Sequence, residues 1–339
     1  LLIPLFLLLT ITTFAEETNK NSQFQVSIIP NNHQASSDST FFDLLLNPKE
    51  ETELGMIITN LGGEDIDVTV EPTNATTTQN GEIDYGRLDN NYQKDSSLKI
   101  SFIDLIDSKK RISLGPNESK TINFHLKAPE KEQDGIILGG FVVYVDHKDV
   151  KQDNNNNILI QNKYEIRKAV RIQMNKNVIT PKLKLNKIGF NWIDNTPALT
   201  ANIQNITSTM FGDITINSTI TEKKTDKIIK EQTTHNMEMA PNSNFYYPIF
   251  WYDQEIIEGA YHLDMTISSG SETWRLNKDF DISKNESTKF ADFYENEKTK
   301  KKSWVDYFIV FLVFLIPLII IFVVIYIKYS VKKKKKNHK

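Results

Sequence analysis

Cysteine is absent from all 339 residues. Disulfide staples, zinc–thiolate sites, iron–sulfur clusters and cysteine nucleophiles are therefore excluded, and stability must come from burial and hydrogen bonding. A basic surplus is missing too. The formal net charge is −3, yet Lys328, Lys332 to Lys336 and Lys339 all lie in the last dozen residues; without those seven charges the remainder stands at −10. That balance excludes nucleic acid as a partner, since phosphates call for a basic face. Catalytic signatures are also wanting. No GxSxG elbow, Walker loop or dinucleotide glycine pattern occurs. His33, His125, His147, His235 and His262 are scattered without the i, i+4 spacing of a helical zinc pair. Asp149 and Asp153 meet no calcium-loop spacing, and Asp253 with Glu255 shares one strand face rather than flanking a scissile bond. The chain reads as one without catalytic residues, metal or cofactor.

What is present is the composition of a folded protein. Hydrophobic residues make up 39% and charged residues 24%, near the globular average, over a length that predicts about two domains. The ends carry an address. Leu1 to Phe14 is apolar or hydroxylic, with small residues Thr13 and Ala15 ahead of a cleavage after Ala15. Residues 1–15 are thus expected to be a signal peptide that begins a few residues late. Phe308 to Ile327 is uncharged and almost wholly apolar; a helix of that length rises about 30 Å, the thickness of a hydrocarbon core. Trp304, Tyr307, Tyr326 and Tyr329 flank it as interfacial anchors do, and Lys332 to Lys336 supply a stop-transfer cluster. Lys298 and Lys300 to Lys302 sit on the other flank and weaken the charge bias. The expected layout is an exported part up to about residue 303, a polar stalk over 284–303, a bilayer contact through Phe308–Ile327, and a cytosolic tail over 328–339.

Between the ends helical periodicity is almost absent, and short stretches alternate every second residue. In TINFHLKAP, Ile122, Phe124 and Leu126 face one way while Thr121, Asn123, His125 and Lys127 face the other. Ile66, Val68 and Val70 do the same, as do Tyr261, Leu263, Met265 and Ile267; half-buried antiparallel strands have this pattern. Candidate strands in the first half are Phe24–Ile29, Phe41–Leu46, Glu53–Asn60, Ile66–Pro72, Leu98–Ile106, Lys120–Lys127 and Gly135–Val145. Those in the second are Lys182–Trp192, Leu199–Asn205, Asp213–Thr221, Ile228–Met237, Phe245–Trp251, Gly259–Ser268 and Glu272–Ile282. Seven apiece predict an all-β fold of two tandem immunoglobulin-like β-sandwich domains, besides the signal peptide and one C-terminal transmembrane helix. Asp146 to Asn157 is polar and reads as a linker. Tyr164 to Met174 either pairs back onto Gly135–Val145 as a long hairpin or opens the second domain. The hairpin is preferred, with a hinge near Asn177–Pro181.

Particular segments say more. The first half holds FQVSIIPNNHQ (Phe24–Gln34), FFDLLLNPKE (Phe41–Glu50), NATTTQNGEIDY (Asn74–Tyr85), DSSLKI (Asp95–Ile100) and DGIILGGFVVYV (Asp134–Val145). The second holds NKYEIRKAVRIQM (Asn162–Met174), MAPNSNFYYPIFW (Met239–Trp251), EGAYHLDMTISSGSETW (Glu258–Trp274) and FDIS (Phe280–Ser283). In this order they resemble the WxL-interacting proteins of Gram-positive bacteria. The resemblance implies a peptidoglycan-binding domain over 24–146, a linker over 147–157 and a host-binding domain over 158–283; on the hairpin reading above, 158–176 structurally completes the first sandwich instead. It also implies peptidoglycan, secreted WxL-domain proteins and host extracellular-matrix protein as partners. The chain departs from the family at Asn31–Asn32–His33–Gln34, where Pro-Glu-Asn-Gln is usual, so a contact by that glutamate does not carry over.

Two segments are candidate contact sites. Asn74 to Tyr85 is rich in Thr, Asn, Gln and Asp and ends in tyrosine, and glycan sites use amides and carboxylates on hydroxyls with an aromatic face on the ring. Asn74, Thr76, Asn80, Asp84 and Tyr85 are the expected glycan contacts, although the same residues suit a loop that satisfies its own backbone. Phe245 to Tyr252 is the densest aromatic patch. Phe245, Tyr247, Ile249 and Trp251 are expected on the core face, leaving Tyr246, Phe250 and Tyr252 as a partner-binding stripe. Pro248 puts that strand at a sheet edge or bulge, where an incoming strand can add. Gly139–Gly140 interrupts an apolar strand and reads as a bulge or a close approach. The chain is expected to be a non-enzymatic, membrane-anchored adhesin. A docking or chaperone-like scaffold for WxL proteins with no host role is the rival, and a wall-glycan hydrolase, which needs paired acids, ranks last.

Overall fold

A computed structural model describes residues 24–35, 39–89, 91–145, 164–193, 195–251 and 256–336, the side chains of 291–306 and 329–336 excepted. The expected signal peptide, the linker, and Tyr252, Asp253 and Glu255 lie outside the described residues. Ahead of the apolar run the described chain is mostly strand, and the alternation read from the sequence is the reason. In Ser119–Lys127, Ile122, Phe124 and Leu126 are buried while the residues between them are exposed, so one face of the strand leaves water and the other keeps it.

The first pair of sheets uses eight strands. Strands β1 (Phe24–Ile29), β3 (Glu51–Asn60) and β8 (Ser119–Lys127) form one sheet, ordered β1-β3-β8. The other contains β2 (Phe42–Leu45), β4 (Ile66–Asn74), β7 (Lys110–Leu114), β9 (Ile136–Val145) and β10 (Glu165–Gln173), ordered β2-β10-β9-β4-β7. A two-residue pair, β5 (Thr76–Thr77) with β6 (Ile83–Asp84), projects beyond β4. Tyr164–Met174, open to two placements in the sequence, runs as β10 antiparallel to β9, and β2 joins its far edge in parallel. The inner faces share one core. Phe141 is its hub: it is fully buried, with Phe124, Phe102 and Phe42 at ring-centroid distances of 4.8, 5.8 and 6.1 Å, each pair worth about 0.5–1.5 kcal/mol beyond area burial.

The second pair is built likewise. Strands β11 (Leu183–Ile193), β12 (Thr196–Asn205) and β15 (Ser243–Phe250) form one sheet. The other contains β13 (Phe211–Glu222), β14 (Lys227–Met239), β16 (Gly259–Ser269) and β17 (Glu272–Ile282), ordered β14-β13-β16-β17. These orders repeat the first pair strand for strand: β11-β12-β15 matches β1-β3-β8, and β17-β16-β13-β14 matches β10-β9-β4-β7. Besides the short β5–β6 pair, only β2 has no counterpart among the described strands. The repeat reaches individual side chains. Asn60 ends β3, and its Oδ1 accepts from Gly62 N–H at 2.8 Å while Nδ2 donates to Glu64 and Gly115 carbonyls at 2.7 and 2.8 Å. Asn205 ends β12, and its Oδ1 accepts from Thr207 N–H at 3.1 Å while Nδ2 donates to Thr209 and Ala240 carbonyls at 2.7 and 3.0 Å. Gly115 and Ala240 each precede a Pro-Asn turn whose asparagine, Asn117 or Asn242, has a positive φ of 57° or 47°. By compactness the chain divides into two units. The first runs to Lys184 and also takes Gln204–Ile214 and Asn236–Phe245; the second holds the rest.

Two expectations need correction. Leu98–Ile106 is not a strand. Ser101 Oγ donates to Asp104 Oδ2 at 2.6 Å and closes a 3-10 turn over Phe102–Asp104, a Ser-x-x-Asp cap that competes with extended pairing. The strand position beside β4 goes to Lys110–Leu114 instead, a short stretch in which only Leu114 is fully buried. The residues read as a stalk are helical. A single α-helix, α1, runs Lys284–Lys336 from a reciprocal cap between Ser283 and Glu286, with Oγ–Oε2 at 2.6 Å. Its first turns pack Phe290 against Phe190 and Trp192 at 5.4 and 5.2 Å. Within it Tyr307–Lys328 is long and apolar enough to cross a bilayer, and none of that window is buried in protein.

The two glycines of β9 face opposite ways. A Cβ on Gly139 would stand 2.4 Å from the Phe102 ring, and one on Gly140 would stand 3.1 Å from Tyr85 Cβ and 2.9 Å from the Lys168 carbonyl. Each absence of a side chain admits an aromatic residue. Gly139→Ala should therefore lower the urea midpoint of a soluble fragment by the equivalent of about 1–3 kcal/mol, the usual range for overpacking. Combining it with Phe102→Gly, which removes both the ring and the Cβ that stands 2.5 Å away, should take away most of that increment; if the two losses simply add, the Phe102 side chain is not the obstacle.

Candidate functional site

The segment expected to contact glycan leaves β4 at Asn74. That side chain is only 1% exposed, and its Oδ1 accepts from Ile103 N–H at 3.2 Å, so it is engaged in holding the 3-10 turn. Thr76 is half-buried and Asn80 exposed at the β5–β6 turn. The pair docks on Asn236–Phe245 within the first unit. Thr77 Oγ1 lies 2.7 Å from Ser243 Oγ and accepts from Ala240 N–H at 3.0 Å; Ile83 N–H donates to Glu238 Oε1 at 3.0 Å. Gly81 has a φ of +71°, and a Cβ there would stand 2.3 Å from the Met237 side chain. Much of the polarity that marked this loop as a site is thus spent on the protein itself.

Asp84 and Tyr85 are brought together with residues the sequence did not single out. On the outer face of the five-stranded sheet, Asp84 pairs with Arg167 at 2.5 Å, Arg87 with Glu165 at 2.7 Å, and Arg171 bidentately with Asp43 at 2.7 and 2.5 Å. The Arg87 guanidinium lies 4.5 Å over the Tyr144 ring, and Tyr144 Oη donates to Glu71 at 3.0 Å. Tyr85 lies against Gly140, and burial pushes its hydroxyl above the ordinary tyrosine value. The Arg87 and Arg167 side chains remain 43% and 47% exposed, with donors left on each planar fork. The signal that could have found this face is the spacing of Glu165, Arg167 and Arg171, all of one parity on one strand.

Asp95, in the DSSLKI segment, forms a second polar centre of the first unit. It is 8% exposed and accepts from Ser97 N–H at 2.8 Å, Ser97 Oγ at 2.7 Å, Gln204 Nε2 at 2.8 Å and Asn244 Nδ2 at 2.5 Å. Burial alone would raise its pKa. The bonds from the Ser97 hydroxyl, Asn244, the Ser97 amide and Gln204 outweigh that and hold the carboxyl below its ordinary value.

The aromatic patch of the second half divides by face as its alternation predicts. Phe245, Tyr247, Ile249 and Trp251 are buried, Tyr246 is 45% exposed and Phe250 is half-buried. The stripe is interrupted, because Pro248 between them is buried. Pro248 does lie on an edge strand, β15, but that edge is not open to addition there. The Gln232 carboxamide reaches across from β14, donating to the Pro248 carbonyl at 2.9 Å and accepting from Phe250 N–H at 3.0 Å. Elsewhere in the second unit His262 bonds Asp279, which also takes Lys223. The Asp279 bond foremost holds the imidazole pKa above its ordinary value. Among the described residues no three of His, Cys, Asp and Glu gather as a metal cluster.

Comparison with known proteins gives two family matches. The model of the WxL Interacting Protein peptidoglycan binding domain matches residues 24–145, and that of the WxL Interacting Protein host binding domain matches residues 155–292. No curated protein matches the chain. Among solved structures, the chaperone–tip adhesin complex of CFA/I fimbriae is similar at 8% identity, over 73% of this chain and 95% of that one, with a TM-score of 0.32. The class 5 fimbriae chaperone CfaA is similar at 10% identity over 76% and 99%, with a TM-score of 0.26. The YadV chaperone is similar at 9% identity over 77% and 100%, with a TM-score of 0.27. Scores this low carry no weight for fold, partner or assembly.

The bonds made by Asp95 and Gln232 have measurable consequences. Asp95, with a lowered folded-state pKa, contributes stability that is fully present above the ordinary carboxylate value and is lost as pH falls through the folded one. Asp95→Asn should cost about 1–3 kcal/mol at neutral pH and flatten the stability profile below about pH 4; an unchanged acid limb would contradict this assignment. Gln232→Ala should cost about 1–3 kcal/mol by stranding two backbone groups and speed amide exchange at Phe250. Unaltered exchange there would mean the carboxamide does not seal the edge.

Proposed function

Because the chain belongs to the WxL-interacting protein family, we propose that it is a membrane-anchored adaptor whose first domain grips peptidoglycan and whose second grips a protein. Both matched domains are binding domains, which makes this a cell-surface binding protein. What supports the finer reading is their order along one chain, followed by the apolar helix Tyr307–Lys328. In this reading the helix spans the bilayer, the domains lie outside, and Lys332 to Lys336 remain in the cytosol. Anchoring makes the second binding event effectively intramolecular and raises the local concentration of wall and partner without any new contact.

For the first domain, half-buried Asp84 and Tyr85 beside the exposed Arg87 and Arg167 combine carboxylate, phenol and guanidinium on one outer face. Murein offers sugar hydroxyls, acetamido groups and stem-peptide carboxylates, and bidentate arginine suits the last of these. For the second domain the ligand is a host matrix protein or a secreted WxL-domain protein, and Tyr246 is the exposed member of the expected stripe. No chemical step is assigned to either domain.

A soluble fragment, Glu16–Ala291, retains the Phe290 contact and should sediment with purified murein. Arg87→Ala with Arg167→Ala should lower the bound fraction about fivefold or more, as the loss of charged hydrogen bonds implies. A wild-type fragment that stays in the supernatant over a range of salt sinks the wall-binding half. Immobilised Glu16–Ala291 exposed to matrix proteins and to WxL-domain proteins then tells which partner the chain holds.

A further inference from the structure

The duplicated topology exposes one difference between the two sheet pairs. In the first, β2 lies along β10 in parallel, with Val170, Arg171 and Ile172 opposite Phe42, Asp43 and Leu44. The apolar members face the core and are essentially fully buried, while Asp43 meets Arg171 on the outside. In the second, the counterpart of β10 is β17, and among the described residues β17 ends its sheet. It is an eleven-residue strand whose core-facing Trp274 and Leu276 are only half-buried, although their partners on β16, Ile267 and Met265, are buried. A long edge with partly wet apolar residues is where a further strand adds.

The sequence of β17 states what would fit. Trp274–Arg275–Leu276 repeats the apolar–arginine–apolar order of Val170–Arg171–Ile172, with the same parity: the flanking residues face the core and the arginine faces out. Arg275 is exposed. Lys278 holds the neighbouring seam further along by donating to the Asn186 carbonyl, and Thr273–Leu276 lies ahead of that pin. The other side of this sheet pair is closed between Pro248 and Phe250 by Gln232.

We propose that the β17 edge receives an extended segment of the partner protein, added as a parallel strand in which apolar residues alternate with an acidic residue opposite Arg275. This deepens the reading of the second domain as protein-binding and rests on it. The chain's own β2 is the template: Phe42–Asp43–Leu44 shows the chemistry that such an edge accepts. Backbone bonds supply the attachment, Trp274 and Leu276 gain cover, and the arginine selects charge.

The absence of cysteine permits a direct test on the full chain. Thr273→Cys places one thiol at this edge, and Lys230→Cys places one on β14 as a control. Each variant is equilibrated in redox buffer with two cysteine-headed peptides, one alternating valine with aspartate and one alternating valine with lysine. The aspartate peptide should be captured about five- to tenfold over its twin at residue 273, with a ratio near one at residue 230. Arg275→Glu should invert the preference at residue 273. Equal ratios at both sites, or no response to Arg275→Glu, overturn the edge as a site. Disulfide-linked dimers of the Thr273→Cys chain in preference to peptide adducts would assign the edge to a second copy. Slow exchange of all β17 amides in the free chain would assign it to the chain itself; either result overturns the proposal. The underlying reading fails separately, if the wild-type full chain retains no matrix or WxL-domain protein.

Discussion

One strand must be packed on both faces at once, and the first domain is arranged around that constraint. On its inner face β9 carries Phe141, the hub of four rings, with Gly139 two residues away admitting the Phe102 ring. On its outer face Gly140 admits Tyr85, while Leu138 packs with Ala75 and Ala240. Close-packed interiors leave no slack for two extra methyl groups here. The glycines therefore let one strand tie together the core, the 3-10 turn and the outer polar face. Placing Tyr85 there in turn sets Asp84 beside Arg167 and so assembles the row of arginines and carboxylates.

Polar groups supply the remaining definition. Asn60 and Asn205 each saturate a carboxamide in the same way at the same point of the repeated topology. A buried amide costs free energy unless bonded and, once bonded, fixes the path of the loop around it. Asp95 does this with a charge, gathering Ser97, Gln204 and Asn244 around one carboxyl. Side chains also reach the edges: Gln232 bonds the Pro248 and Phe250 backbone, and Lys278 the Asn186 carbonyl. Binding at such a surface depends on which edges remain available, and that is a property of closure rather than of composition.

The legibility of the candidate sites followed the range of the interactions involved. Tyr246 is exposed because period-two alternation reports burial locally, whereas Asp84 and Tyr85 are half-buried and were marked by the polarity of their segment. Asn74 is enclosed, because its partner Ile103 arrives from a turn 29 residues on. Arg87, Arg167 and Arg171 went unmarked: each is ordinary in its own segment and acquires meaning only when Asp43, Asp84 and Glu165 come alongside. The duplication was equally hidden, since it rests on few shared residues, among them the paired asparagines and the Pro116–Asn117 and Pro241–Asn242 turns.

Sequence alone determined the β class, most strand positions, the inward face of the aromatic patch and the apolar helix, because each follows from side-chain period within a dozen residues. It also carried the family. Tertiary structure alone decided that Leu98–Ile106 folds as a capped turn, that β2 lies parallel to β10, that Gln232 closes one edge and that β17 ends its sheet. Those outcomes depend on which distant strand reaches a given backbone first, and no local pattern records how a chain closes its long loops.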